Sequence, residues 1–161
     1  MLQQRRRDTM ISAHHMRLDD FVGGWAGDVE IFPSPWSPGG TGQGVWHFRW
    51  DAGGVNLVHT YREVRSDGSV FEGNGVLAVD REQDRLLWFW FDTLGFPPTH
   101  PSVGTWSSDA LTLVKETPRG TGRSIFRIAG DTLHYSAHVC PNGADEFTAV
   151  VSGLYRRAEE P

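Results

Sequence analysis

From Gly24 onward the chain alternates apolar and polar residues in short runs separated by turn residues, the period expected of half-buried strands. In the run 24–32, Trp25, Gly27, Val29 and Ile31 fall on one face and Ala26, Asp28 and Glu30 on the other. The run 44–50 puts Trp46, Phe48 and Trp50 together, opposite Val45, His47 and Arg49. Further runs occupy 55–64, 70–79, 86–91, 103–106, 110–116, 123–129, 132–139 and 146–157. The connections, such as Asp67-Gly68 and Gly130-Asp131, are too short for the crossovers that parallel strands need. About ten short strands at regular spacing suit an antiparallel barrel or sandwich. Closure into an up-and-down barrel is preferred because it removes the exposed edges and encloses a cavity.

Helical periodicity is confined to the region near residue 20. There "RLDDFVGG" predicts one short helical turn that plugs or leads into the first strand. Residues 1–16, with Arg5 to Arg7 and the adjacent His14 and His15, read as a flexible N-terminal leader, which sets the β-barrel domain at 17–158.

One run departs from alternation. In "LLWFWFDTLGFPPTHP" (86–101), Trp88, Trp90 and Asp92 share one face, and Leu87, Phe89 and Phe91 share the other. One set must fill the barrel, and the other needs cover from outside, for which a second subunit is the natural candidate. Periodicity alone leaves open which set looks inward, because a one-residue slip exchanges the two faces. The trailing loop carries Phe96 and His100 among prolines and is placed to act as a lid.

Composition narrows the functional classes. With 161 residues, 39% hydrophobic and 22% charged, the chain suits one globular domain with a real core. A formal net charge of -5 argues against a nucleic-acid partner, which would call for a basic face. A single cysteine, Cys140, excludes a disulfide framework within the chain. With no apolar stretch of membrane-spanning length and no signal-peptide core, the expectation is a cytoplasmic protein without a membrane partner.

The segments "FVGGWAGDVEIFPSPWSPGGTGQG", "FEGNGVLAVD", "LLWFWFDTLGF" and "GTWSSDALTL" together resemble the domain-of-unknown-function family 1579, over nearly all of residues 18 to 157. That resemblance implies a lipocalin-like antiparallel barrel with no assigned catalytic activity. More distantly, Gly24-Trp25-Ala26-Gly27 is similar to the start shared by lipocalins, fatty-acid-binding proteins and haem-binding nitrobindins. It implies that Trp25 closes one end of the barrel, packed under Arg156 or Arg157. Nitrobindin-like barrels take an iron-ligating histidine from a strand near the C-terminus. The last run here has none, and His134 and His138 lie one strand earlier.

Candidate chemistry is sparse. In a strand, His134 and His138 stand roughly 13 Å apart, too far to chelate one ion, so no metal site is expected. No nucleophile elbow or phosphate-cradling glycine loop is present. On the third run, Leu57, His59, Tyr61 and Glu63 share a mixed face suited to a barrel mouth. The sequence therefore points to a cofactor-free, dimeric barrel that binds a small apolar or aromatic molecule. Trp46, Phe48, Tyr61 and Trp90 would be the walls, His59 and Asp92 the polar anchors, and Phe96 and His100 the lid. Two alternatives are a cofactor-independent isomerase, cyclase or hydrolase using His59 with Tyr61 or Asp92, and a haem-binding nitrobindin-like protein.

Overall fold

A computed structural model describes residues 11–159; residues 1–10, most of the expected leader, lie outside that range. Helix α1 (Ala13–Leu18) and a 3-10 turn (Asp19–Phe21) precede ten strands. These are β1 (Gly23–Ile31), β2 (Gly40–Trp50), β3 (Leu57–Arg65), β4 (Val70–Asp80), β5 (Arg85–Asp92), β6 (Ser102–Trp106), β7 (Ala110–Thr117), β8 (Gly120–Ala129), β9 (Thr132–Pro141) and β10 (Thr148–Ala158). Each pairs antiparallel with its neighbour in sequence, and β1 pairs with β10 from Gly24↔Ala158 to Ile31↔Val151, closing the barrel. No described helix is long and apolar enough to cross a membrane.

Strand limits differ from the sequence reading mainly at β2, which starts at Gly40 rather than 44, and at β8, which starts at Gly120 rather than 123. Gly120 has φ 138°, a conformation open to glycine, and it lets the chain reverse directly after Arg119. The helix also starts earlier than expected, at Ala13, inside the stretch read as leader. Its anchors explain why. His15 is buried and its Nε2 lies 3.0 Å from the Val55 carbonyl, while Trp106 Nε1 donates to His14 Nδ1 at 3.1 Å. Arg17 lies 4.1 Å over the Trp106 ring and donates to the Ser107 carbonyl.

Together these contacts seat Leu18 and Phe21 as a plug at one end of the barrel. Phe21 meets Phe48, Trp106 and Phe126 edge-on, with ring centroids 5.4, 6.4 and 5.6 Å away. Trp25 Nε1 donates to the Phe21 carbonyl at 2.8 Å, so the indole's polar atom is satisfied while its body is buried. Arg157 stacks 3.9 Å over the same indole, and its guanidinium donates to the carbonyls of Asp20 and Val22. The closing strand thus holds the plug directly.

The inner wall carries the aromatic load. Trp25, Trp46, Phe48, Tyr61, Trp88, Phe126 and Tyr155 are all buried, whereas Leu87 and Phe89 on the outer face are half-buried and Phe91 is 47% exposed. Trp88, Trp90 and Asp92 are therefore the inward set on β5. Room for these rings comes from the facing strand. A Cβ on Gly73 would sit 2.1 Å from Trp90 Cζ2, and one on Gly75 2.6 Å from His59 Nε2. The large rings of β3 and β5 lie across the glycines of β4, which is how a wall of indoles fits inside one barrel.

This packing predicts opposite outcomes at two inward glycines. Gly73→Ala should cost about 1–3 kcal/mol, because a rigid indole must move. Gly122→Ala, whose nearest neighbour would be the Lys115 carbonyl at 3.9 Å, should be neutral or slightly stabilising. Urea unfolding midpoints of the two variants check the contrast.

Candidate functional site

The chain reverses at the plugged end after every even-numbered strand and at the other end after every odd-numbered one. Side chains near the odd-strand turns therefore converge on one opening. There the barrel holds a cavity of about 300 Å³. Its floor and walls are Trp46, Tyr61, Trp90 and Tyr135, with Phe71, Ala137, Val139 and Val151. Its rim is made by Ser34, Trp36 and Ser37 after β1, Leu94 and Phe96 after β5, and Thr117, Arg119 and Gly120 around the β7–β8 turn. A register shift between Ala149 and Val151 lets both Val150 and Val151 reach the lining.

The residues singled out from sequence divide into three groups. Trp46, Tyr61, Trp90, Asp92 and Phe96 all line the cavity. Phe48 and His59 are inward but lie behind that lining, their rings tilted against each other with centroids 5.0 Å apart. His100 is exposed, with Nδ1 3.1 Å from Thr99 Oγ1, and does not border the cavity.

His59 sits in a cage of rings. Trp90 and Trp88 stack nearly parallel to it at 6.0 and 6.1 Å, and Trp46 lies 6.0 Å away. Trp88 Nε1 donates to His59 Nε2 at 2.8 Å, which places the imidazole proton on Nδ1, where no hydrogen-bond partner of normal geometry is present. Burial lowers the His59 pKa to about 3, against an opposing pull from the Leu57 carbonyl. It is a neutral packing group, and Trp46 and Trp90, not the imidazole, face the cavity.

The polar groups of the wall are joined to one another. Tyr61 donates to Glu63 Oε2 at 2.7 Å, and the Tyr155 hydroxyl lies 3.0 Å from that of Tyr61. Arg65 donates to Glu63 Oε1 at 2.8 Å and to Ser37 Oγ at 3.3 Å, tying the buried carboxylate to the rim. Burial pushes the Tyr61 and Tyr155 hydroxyls well above their ordinary range, and Tyr135 up to about 12, so all three stay protonated. Trp46 Nε1 leans toward Tyr155 without completing a hydrogen bond. Across the mouth, Asp92 accepts Trp90 Nε1 at 2.8 Å on one oxygen and the Leu94 amide at 2.9 Å on the other.

Sequence reasoning placed Glu63 on the face of the mouth but missed its partner Arg65, and missed Tyr135, Tyr155 and Arg119. The alternation already placed Tyr135 on the apolar face of its strand. What it lacked was the knowledge that odd-strand turns share an end, which brings Arg65 and Arg119 to the same rim.

The histidines do not fit a haem. None lines the cavity. His134, 3.1 Å from Ser152 Oγ, and His138 lie on the outward face of β9, whose inward face carries Leu133, Tyr135 and Ala137. Among the described residues, no three His, Cys, Asp or Glu side chains cluster to hold a metal ion.

The caged imidazole sets a pH dependence. Unfolded, His59 titrates near its ordinary value; folded, only near 3. Between these the unfolded chain binds more protons, so stability is full above about pH 6.5 and falls as pH drops. Burial also lowers His134 and His138, with the same sign. Urea unfolding should lose about 2 kcal/mol between pH 6.5 and 5 from His59 alone. His59→Gln should flatten part of that slope.

No family model matches the chain, and no curated protein matches it in sequence. Solved structures share its fold, two of them over nearly the whole chain. Rv2717c from M. tuberculosis aligns with a TM-score of 0.71 at 18% identity, covering 92% of this chain and 99% of that one. The S-type phycobiliprotein lyase CPES from Guillardia theta aligns with a TM-score of 0.68 at 8% identity, covering 96% and 98%. The resemblance to family 1579 rests on the sequence motifs alone, while the ten-stranded, lipocalin-like barrel is shown by the fold itself.

Proposed function

We propose that this barrel binds a small apolar, largely aromatic molecule in the cavity at its open end. The observation that carries the reading is the division of one interior into two halves. The plug and the packed rings fill one half, and the other is an aromatic-walled space of about 300 Å³ reached through a rim of loops. Ligand sites are typically concave, mostly apolar and supplied with a few fixed polar groups. Here Trp46, Tyr61 and Trp90 serve as stacking walls, with Phe48 and His59 holding them from behind. Asp92 and Phe96 shape the mouth. One protein of similar fold is by name a phycobiliprotein lyase, which agrees with a barrel used for a small molecule.

The catalytic alternative has less support. His59, its general base, does not border the cavity, and both oxygens of Glu63 already accept hydrogen bonds. The lone Cys140 agrees with a cytoplasmic setting for the binding protein.

The test is to fill the cavity from within. Gly122 lines it and has open space where a Cβ would go. Gly122→Phe should abolish saturable binding of a neutral aromatic fluorophore such as N-phenyl-1-naphthylamine while leaving the urea midpoint near that of the parent. Full binding by the variant would refute the cavity reading.

A homodimer belongs to the same proposal. Leu87 pairs with Val103 and Val103 with Val114 across the outer face, next to Phe89, giving an apolar band with Val103 38% and Val114 37% exposed. Native mass spectrometry should show a dimer that Phe89→Glu converts to monomer. A monomeric parent at micromolar concentration would dismiss it.

A further inference from the structure

We infer that the molecule taken up by this cavity carries an anionic group, a carboxylate or a sulfonate, which Arg119 receives at the rim. The inference deepens the binding reading above and rests on it.

Four formally charged side chains border the space: Glu63, Arg65, Asp92 and Arg119. Glu63 and Arg65 are spent on each other, with Tyr61 and Ser37 taking further positions. The Asp92 carboxylate is held on both oxygens by N–H donors of its own strand and loop. Arg119 differs. Among the described residues its guanidinium makes no ion pair and no hydrogen bond.

That guanidinium is nevertheless held in place. It lies 4.3 Å over the Phe96 ring, so a residue of the β7–β8 turn reaches across the rim to the β5–β6 loop. Its backbone is pinned on both sides: the amide donates to Thr117 Oγ1 at 3.2 Å, and the carbonyl accepts from the Asn142 amide at 3.1 Å. Stacking on an aromatic face leaves the in-plane N–H donors of a guanidinium free. A planar, fixed fork of donors with no acceptor suits a carboxylate or sulfonate in two-point contact.

The interior beyond the rim is apolar and ring-lined, so the rest of the ligand has to be an apolar body. The combination describes an amphipathic acid, with its body against Trp46 and Trp90 and its charge at the mouth. A cationic ligand would instead need Asp92, whose oxygens would first have to exchange the Trp90 and Leu94 donors.

Two fluorophores with the same ring system separate the claims: 8-anilinonaphthalene-1-sulfonate and its neutral analogue N-phenyl-1-naphthylamine, titrated into the folded full-length chain. The parent should bind the sulfonate at least about tenfold more tightly at low salt. Arg119→Gln should weaken the sulfonate about tenfold and the neutral probe less than about twofold. Equal affinities for both probes, or an Arg119→Gln variant that weakens neither, would overturn the anion assignment while leaving the cavity reading intact. Tighter binding of the cationic dye thioflavin T, lost in Asp92→Asn, would overturn it in favour of the opposite charge. If no probe binds saturably, the cavity reading itself fails.

Discussion

A closed sheet of about eight strands is roughly as wide as its own side chains can fill. This one has ten, so filling the interior is the constraint to which the rest of the structure answers. The answer is uneven. At one end, Leu18 and Phe21 are lowered in as a plug and clamped by Trp25 and Arg157. Through the middle, Trp46, Phe48, His59, Trp88 and Phe126 interlock over the glycines of β4. Toward the other end the inward positions shrink to Gly122, Ala137, Val139 and Val151, and the space stays open.

The same uneven filling decides what polar groups can do inside. A carboxylate as deeply buried as Glu63 loses much of its hydration, which only close partners can repay. Tyr61 and Arg65 supply them, and because Arg65 also reaches Ser37, the pairing fixes part of the rim. His59 shows the complementary solution, in which a titratable group is kept neutral and used for its shape and its one acceptor. Charge in the wall is therefore either internally matched or removed, and the stacked guanidinium at the mouth stands apart from both.

Much of the architecture was legible in the alternation. Trp25, Val29 and Ile31 share a face as the period requires, and so do Leu57, His59, Tyr61 and Glu63. Closure was legible for a physical reason: ten hairpin-linked strands without covering helices leave two edges that only each other can satisfy. The double-faced strand 86–91 was not, because with apolar residues on both sides the period carries no sign. The sign came from outside the strand, through Gly73 and Gly75, which make room only for Trp88 and Trp90. The start of the helix was hidden differently. Ala13 to Leu18 is too short to announce itself by periodicity, and it is held by partners as distant in sequence as Val55, Asp84 and Ser107. Arg119 falls in the connection between the runs 110–116 and 123–129, and periodicity says nothing of its role, which depends on Phe96 in a different loop.

The ladder between β5 and β6 spans three residue pairs, Leu86 to Trp88 against Ser102 to Gly104, while β4 and β5 share eight. Beyond Trp88 the two strands part, and the chain from Thr93 to Pro101 bridges the gap at the cavity end. The cylinder is thus continuous in topology but slit along one line. Opening there breaks few ladder bonds, which favours this slit for local opening over the fully paired seams. In hydrogen-exchange terms, the amides of β6 should be less protected than those of the opposite wall, where β1 and β10 share eight pairs around Trp25 and Tyr155.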